Sequence, residues 1–205
     1  MFLLMRSMLL MGLMMGTGVA VETEAGKALL VMVKERDQAI QTIVRSKTKG
    51  ETPQERAKLK AIVGDLFDFN ALSELSLGRD WAERTEAERK AFVDINRQLI
   101  EKNYADPKLY TKAEKIDYIG VEVKDKEATV KTMVYYKTEK SAIDYKMHQV
   151  NGKWLIYDMV IDELSIGQSN RSQFRKEIRN ASFESLMDKL RKKLAETAVD
   201  EKGGA

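Results

Sequence analysis

Asp158 and several tyrosines are the side chains whose types and positions could perform acid and base chemistry. Asp158 lies in the run WLIYDMVI, where apolar residues flank it on both sides. Burial raises the pKa of a carboxyl group unless a cation lies near, and such a carboxylate can act as a general base. Tyr157, Tyr145 and Tyr118 could supply a phenol as the proton donor. This pattern leaves open an enzyme that acts on a hydrophobic small molecule.

Two arginines occupy positions where they could contact a phosphate group. Arg79 follows the glycine of the GRDW motif, and Arg171 begins the RSQF motif. A guanidinium binds phosphate oxygens with two parallel donors. The alternative is structural: Arg79 would fix its loop to a carboxylate or to carbonyls, and Arg171 would pair with Asp158 or Asp162. The pattern favours the structural role for Arg79 and leaves both roles open for Arg171.

The composition excludes several other chemistries. The 205-residue chain has no cysteine and one histidine, His148. Disulfides, thiolate zinc sites and thiol catalysis are therefore excluded, and a histidine-based metal site or triad has too few members. The formal net charge of +3 gives no general attraction to nucleic acid. We expect no metal and no nucleic-acid partner, and His148 is predicted to lie on a sheet surface.

The first twenty residues have the layout of a secretory signal. Arg6 is their one charge, an apolar run follows at 8–15, and small residues precede a predicted cut after Ala20. The apolar run is too short to span a bilayer comfortably, although an uncleaved anchor is the alternative. The expected organisation is a cleaved signal peptide at 1–20, a single domain at 21–199 and a flexible tail at 200–205.

Helical periodicity dominates the first half of the chain. Apolar residues recur at intervals of three and four over residues 27–46, which predicts an amphipathic helix. Pro53 suits the first turn of a second helix, and Thr85 with Glu88 forms a capping box that opens another. The sequence FDFN contains a potential cap for a short helix that stops at Gly78. The predicted helices therefore cover 27–46, 53–66, the leucine-rich segment before Gly78, and 85–104.

From residue 115 the apolar period changes to two, which predicts strands. Strands at 116–123 and 128–137 are joined by a short turn. Asn151 and Gly152 suit a type I′ turn in a second hairpin, because both residues tolerate positive φ. Strands joined in succession by short turns favour an antiparallel sheet. Helical spacing resumes from Ile166, and Ser182 caps a last helix. The predicted fold class is α+β, with N-terminal helices, a four-stranded antiparallel curved sheet and C-terminal helices.

The strand after Asn151 and Gly152 is apolar on both of its predicted faces. An antiparallel strand with one face in water should alternate cleanly between apolar and polar residues. We therefore expect protein, a ligand or a partner to cover this strand on both sides. Strict alternation places Trp154, Ile156, Asp158 and Val160 on one face, and Leu155, Tyr157, Met159 and Ile161 on the other.

Four stretches of the chain resemble the MlaC or toluene-tolerance family of periplasmic phospholipid-binding proteins. They follow the order expected of that family along the predicted mature chain. In one departure, family members usually carry Asn-Tyr before Arg-Ser-Gln-Phe, whereas Ser169 and Asn170 stand there in this chain. The matching stretches are FDFNALSELSLGRDW at 67–81, TEAERKAFVDINRQLIEKNY at 85–104, DYKMHQVNGKWLIYDMVID at 144–162 and RSQFRKEI at 171–178.

The resemblance implies a fold related to the nuclear-transport-factor-like and cystatin-like cones, with a cavity for phospholipid tails. It implies a periplasmic, non-enzymatic carrier that maintains outer-membrane lipid asymmetry. The carrier would shuttle phospholipid between an outer-membrane lipoprotein and porin complex and an inner-membrane ABC transporter with a ring of MCE domains. Phospholipid would be the cargo, and no cofactor is implied. The alternatives are an isomerase-like cone-fold enzyme that uses Asp158 and a periplasmic adaptor that carries nothing.

A carrier of this kind needs enough apolar surface to enclose two acyl tails. Hydration of each exposed methylene costs roughly 0.8 kcal/mol, so nearly all of both tails must be covered. Methionine adapts to shifting chains, and tyrosine offers a polar tip for the mouth of a cavity. Arg79 and Arg171 are the head-group candidates. The cavity candidates, some of which are expected to be ordinary core residues, are Phe67, Phe69, Leu72, Leu75, Phe92, Leu99, Tyr104, Val134, Tyr136, Tyr145, Met147, Tyr157, Met159 and Phe174.

Overall fold

Helices occupy the first half of the chain in the computed structural model, which describes residues 23–45, 53–104 and 113–200. The side-chain oxygen of Asp68 accepts a hydrogen bond from the Ala71 N–H at 2.9 Å and so caps the short third helix. Thr85 and Glu88 satisfy each other's backbone N–H groups, which confirms the capping box. The elements are α1 (Glu24–Arg45), α2 (Pro53–Leu66), α3 (Phe69–Leu77), a 3-10 turn (Gly78–Trp81) and α4 (Glu86–Tyr104).

The sheet is antiparallel, and its strands follow one another in sequence order. Asn151 and Gly152 both have positive φ, so the predicted type I′ turn is confirmed. The predicted count of four strands was wrong, because a fifth strand of two residues pairs with the end of the fourth. Two residues are too few to show a periodic pattern. The strands are β1 (Lys115–Lys124), β2 (Glu127–Tyr135), β3 (Lys140–Val150), β4 (Lys153–Ile161) and β5 (Leu164–Ser165).

Two helices follow the sheet, as the spacing of apolar residues predicts. They are α5 (Ile166–Asn180) and α6 (Phe183–Asp200). The Ser165 hydroxyl caps α5 by accepting the Gln168 N–H at 3.0 Å. The Ser182 hydroxyl accepts the Ser185 N–H at the start of α6. The α+β class, with helices on either side of the sheet in the sequence, is confirmed.

A bulge in β4 changes which of its residues share a face. The register shifts between Lys146 and Met147 of β3, so Tyr157 has no direct partner on that strand. An extra residue reverses the side of every residue that follows it, and the predicted strict alternation was therefore wrong beyond Tyr157. The core-facing residues of β4 are Trp154, Ile156, Met159 and Ile161.

The opposite face of β4 is less apolar than the sequence pattern indicates. Asp158 and Val160 share this face with Leu155. The bulge places Met159 and Ile161, which strict alternation assigns to this face, on the core side instead. On β3 the neighbouring residues of this face are Lys146 and His148. The face therefore does not need an apolar cover along its whole length, which removes one reason to expect lipid there.

Most buried apolar side chains belong to two clusters. The sheet cluster lies between the core-facing side of the sheet and α1, α2 and α3, and the helix cluster lies among α3, α4 and α6. The sheet cluster consists of Leu29, Val33, Val63, Leu66, Phe67, Phe69, Leu72, Ala128, Val130, Met147, Ile156 and Met159. The helix cluster consists of Leu77, Phe92, Ile95, Leu99, Phe183, Leu186, Met187 and Leu190.

Asp158 joins β4 to the beginning of α5. Its side chain is only 4% exposed and accepts hydrogen bonds from the Met159 N–H at 2.9 Å, the Gly167 N–H at 3.0 Å and the Ser165 hydroxyl at 2.5 Å. Helix α3 packs closely at the same place, because a Cβ at position 167 would lie 2.7 Å from Cγ of Leu75. The glycine is thus required by close packing of α3 on α5.

We predict that Gly167→Ala lowers the free energy of unfolding by about 1–3 kcal/mol, because the added methyl group overlaps Leu75. Gly120→Ala is the control, since a Cβ there meets nothing within 4 Å. Its effect should stay within about 0.5 kcal/mol. Urea denaturation followed by circular dichroism measures both values. Equal stability of the two variants would show that α3 does not pack tightly on α5.

Candidate functional site

A narrow crevice separates α1 from the core-facing side of the sheet. Its volume of ≈ 10 Å³ is about what one water molecule requires. The acyl tails of a phospholipid do not fit into it in this conformation. The walls come from α1, the junction between α2 and α3, and two strands: Val33, Arg36, Asp37, Ile40, Leu66, Phe67, Tyr145 and Ile156.

Asp37 is a buried acid in these otherwise mostly apolar walls. It is 7% exposed, and the Tyr118 hydroxyl of β1 donates a hydrogen bond to its Oδ2 at 2.9 Å. Burial raises the pKa of Asp37 to about 6, although the hydrogen bond from Tyr118 lowers it and offsets part of that effect. Sequence reasoning missed this residue. The signal was present, because Asp37 falls four residues after Val33 and three before Ile40 on the apolar side of α1.

Open clefts border α1 on both sides. One cleft, with a volume of ≈ 390 Å³, lies between α1, the end of α2 and the start of β4, and is lined by Leu29, Met32 and Trp154 among others. The other, of ≈ 420 Å³, lies between α1 and β1 and includes Tyr118. Among the described side chains of α1, the buried ones form a single stripe: Leu29, Val33, Asp37 and Ile40.

A groove of ≈ 360 Å³ lies beside the polar face of the sheet. Leu75 and Tyr157, two of the cavity candidates, line it together with Asp158. Polar side chains make up most of the rest of its wall, so an acyl chain in this groove would have to cover charged groups. These polar lining residues are Glu122, Lys124, Glu127, Thr129, Lys146, Ser165 and Gln168.

The structure places most of the remaining cavity candidates in two regions. Around the crevice, Phe67 and Tyr145 line its wall, and Phe69, Leu72, Met147 and Met159 are buried in the same sheet cluster. Elsewhere, Phe92, Leu99 and Phe174 belong to the helix cluster or pack against it. Val134 is buried on β2, and Tyr136 follows the end of that strand. The side chain of Tyr104 lies outside the described part of the structure.

The two head-group candidates lie close together at the C-terminal end of α3. A Cβ at Gly78 would lie 2.5 Å from Cδ of Arg171, so the stem of Arg171 packs on the residue before Arg79. Both arginines are exposed, and no described residue forms a hydrogen bond or an ion pair with either guanidinium. Two structural roles that the sequence offers are not observed among the described residues: the favoured one, in which Arg79 binds a carboxylate or carbonyls, and the alternative in which Arg171 pairs with Asp158 or Asp162. Asp158 bonds to the start of α5, and Asp162 accepts the Ala142 N–H at 2.8 Å.

His148 connects the sheet to the start of α3. Its Nε2 lies 3.0 Å from Oδ2 of Asp68, and its ring centroid lies 5.0 Å from that of Tyr157. The residue is half-buried in this contact. In the described ranges, no group of three or more possible metal ligands comes together. His148 thus helps to hold the capping residue of α3 in place.

None of the helices within 23–45, 53–104 and 113–200 combines the length and the apolar character needed to cross a bilayer. The chain matches the model of the MlaC protein family over residues 34–192. A search of curated proteins found no match.

Among solved structures, the chain is similar to a phospholipid-binding protein from Ralstonia solanacearum that was determined in complex with a phospholipid. The TM-score is 0.68 at 20% sequence identity. The alignment covers 82% of this chain and 98% of that protein. At this level of identity the similarity shows a shared fold.

We predict that Asp158→Ala lowers the free energy of unfolding by about 2–5 kcal/mol, because three hydrogen-bond donors around the site lose their acceptor. Asp158→Asn keeps an acceptor for the two backbone N–H groups, and its amide can donate to Ser165. This variant should lose about 1 kcal/mol. Thermal and urea unfolding compare the two. If Asp158→Ala were as stable as Asp158→Asn, the carboxylate would not be the structural link between β4 and α5.

Proposed function

Because the chain belongs to the MlaC family, we propose that it is a phospholipid carrier and not an enzyme. The family match spans residues 34–192 and is the observation on which the proposal rests. The fold shared with a protein that was solved with a bound phospholipid supports it. In this proposal phospholipid is the cargo, and the chain uses no cofactor.

The crevice between α1 and the sheet is the proposed site of the acyl tails. A lipid-free carrier that kept a wide apolar cavity open would expose its walls to water, at about 25 cal/mol per Å². Walls that contact one another, as they do around this crevice of ≈ 10 Å³, avoid this cost. Entry of a lipid then requires that α1 move away from the sheet. The tails would replace the contacts that α1 loses.

The two apolar clusters have different roles in this proposal. Phe67 and Tyr145, which line the crevice, and Met159 of the sheet cluster contact the tails once the crevice opens. The helix cluster, which includes Phe92 and against which Phe174 packs, keeps its contacts when the crevice opens. The proposed contacts therefore involve only part of the residues that the sequence offers as candidates.

Arg79 and Arg171 are proposed to bind phosphate of a lipid head group. Both guanidiniums are exposed and have no partner among the described residues, and the stem of Arg171 packs against Gly78, the residue before Arg79. They lie at the opposite end of α3 from Phe67, and the nine residues of α3 span about 13 Å. Two donors from each arginine would fix a phosphate at the surface while the tails extend towards the crevice.

The location and the partners of the carrier are also proposals. A signal peptide at 1–20, which lies outside the described residues, would direct the chain to the periplasm and be cleaved, leaving a domain at 21–199. The resemblance to the family suggests transfer between an outer-membrane lipoprotein and porin complex and an inner-membrane ABC transporter with an MCE-domain ring. Toluene tolerance and outer-membrane lipid asymmetry would follow from such transfer.

Lipid extraction tests the carrier proposal directly. The chain is expressed with its signal peptide, purified from the periplasmic fraction and extracted with organic solvent for mass spectrometry. We expect copurified phospholipid, uptake of labelled phospholipid from vesicles and a lower melting temperature after delipidation, because a ligand that binds only the folded state stabilises it. Absence of both copurified lipid and vesicle uptake would overturn the proposal.

Photo-crosslinking tests which cluster contacts the tails. We predict that a benzophenone-bearing phenylalanine at Tyr145 crosslinks to a labelled acyl chain, because this position lines the crevice. The same residue at Phe174, which packs against the helix cluster, is the matched control and should give at least about tenfold less adduct. Mass spectrometry of the adducts measures both yields. Stronger labelling from Phe174 would place the tails among the helices and contradict the proposed site.

A further inference from the structure

Asp37 occupies a buried position on α1 where an apolar residue would bind the helix to the sheet more strongly. Its neighbours in the buried stripe, Val33 and Ile40, are 3% and 1% exposed. Asp37 is buried almost as deeply and lines the crevice between α1 and the sheet. An ionised carboxylate in such a place is costly unless a cation or several donors compensate for the lost water.

The groups that face Asp37 provide little compensation. From β1 the Tyr118 hydroxyl donates one hydrogen bond, and from β3 Tyr145 lines the same crevice with a neutral ring. On β2, Thr132, which pairs with Tyr118 in the sheet, donates its hydroxyl to the Ile143 carbonyl. On α1 itself, Arg36 also lines the crevice, but its guanidinium lies 3.9 Å from the Asp65 carboxylate of α2. A buried acid is thus held chiefly by one phenol.

We propose that Asp37 controls how firmly α1 is docked on the sheet: protonated, it lets the helix close over the crevice, and ionised, it loosens the helix so that it can lift. The two clefts that border α1 leave it attached along one stripe of side chains, so a change at one of them affects the whole contact. Asp37 is a positioning residue in this role, since it acts through the helix.

The sign of the pH dependence follows from burial. The pKa of Asp37 is raised from 3.8 to about 6 when α1 is docked. A raised pKa means that docking is strongest below about 3.8, weakens as the pH rises towards 6, and changes little above that. From these two values, the equilibrium constant for detachment of α1 from the sheet should increase about tenfold between about pH 5 and pH 7.5. At neutral pH, α1 is therefore bound to the sheet less strongly than it would be if Asp37 were uncharged.

The connection to cargo rests on the proposed carrier function, because lifting of α1 is what opens the crevice to acyl tails. The docking equilibrium itself does not depend on lipid. It can be measured on delipidated protein, so failure of the carrier proposal and failure of this inference give different results.

Hydrogen exchange of the delipidated full chain tests the inference. Exchange in peptides from α1, corrected for intrinsic rates, is compared with exchange in α5 and α6 at about pH 5 and about pH 7.5. We expect α1 alone to lose about tenfold in protection at the higher pH. Asp37→Asn, which keeps the hydrogen bond with Tyr118 but carries no charge, should remove this pH dependence. Glu35→Gln, a change on the exposed side of the same helix, should leave it intact.

Two results would overturn the inference. One is wild-type protection of α1 that does not change relative to α5 and α6 over this pH range, a measurement that needs no variant to fold. The other is an Asp37→Asn protein with the pH dependence of the wild type. In the lipid arm, Asp37→Asn, which mimics the protonated acid, should take up labelled phospholipid from phosphatidylglycerol and phosphatidylethanolamine vesicles about a hundredfold more slowly than Glu35→Gln at pH 7.5. Equal uptake by the two variants would contradict the role of α1 as the movable wall.

Discussion

The contact of α1 with the core-facing side of the sheet is the interaction on which the rest of the proposed mechanism depends. It buries Leu29 and Val33 against the strands of the sheet cluster. It also closes a crevice that is too small for a lipid tail. A carrier has to hide its apolar walls from water when it is empty and offer them when it is loaded. A helix attached along one stripe can do both, because its departure and the arrival of acyl chains exchange one apolar contact for another.

A second set of contacts joins α3 and α5 to the sheet. Asp158 fixes the start of α5 to β4 with three hydrogen bonds, and Gly167 lets α3 pack against α5 without a gap. His148 adds a link from β3 to the cap of α3. The acid that the sequence offers as a general base thus accepts hydrogen bonds from three groups of the chain and links β4 to α5. In the proposed mechanism, these contacts keep α3 and α5 attached to the sheet while α1 moves.

Much of the secondary structure could be predicted from local patterns, because caps and turns depend on residues that are close in sequence. Pro53, the Thr85 and Glu88 box, Asn151 with Gly152, and Ser182 each mark a boundary that the structure reproduces. The faces of β4 could not be predicted in the same way. A bulge arises from the pairing of two strands, so alternation along one strand cannot reveal where Tyr157 interrupts it. The two-residue β5 is hidden for a similar reason, as pairing alone defines it.

The sequence by itself determined the family, the α+β class and the set of apolar side chains, because these follow from motifs, periodicity and composition. Only the tertiary structure decided where these side chains lie. Phe67 and Tyr145 line the crevice, whereas Phe92 belongs to the helix cluster and Phe174 packs against it. It also decided that Arg79 and Arg171 are neighbours and that Asp37 faces the sheet. The physical reason is that periodicity reports which side of an element is buried, whereas the partner that buries it comes from elements distant in the chain.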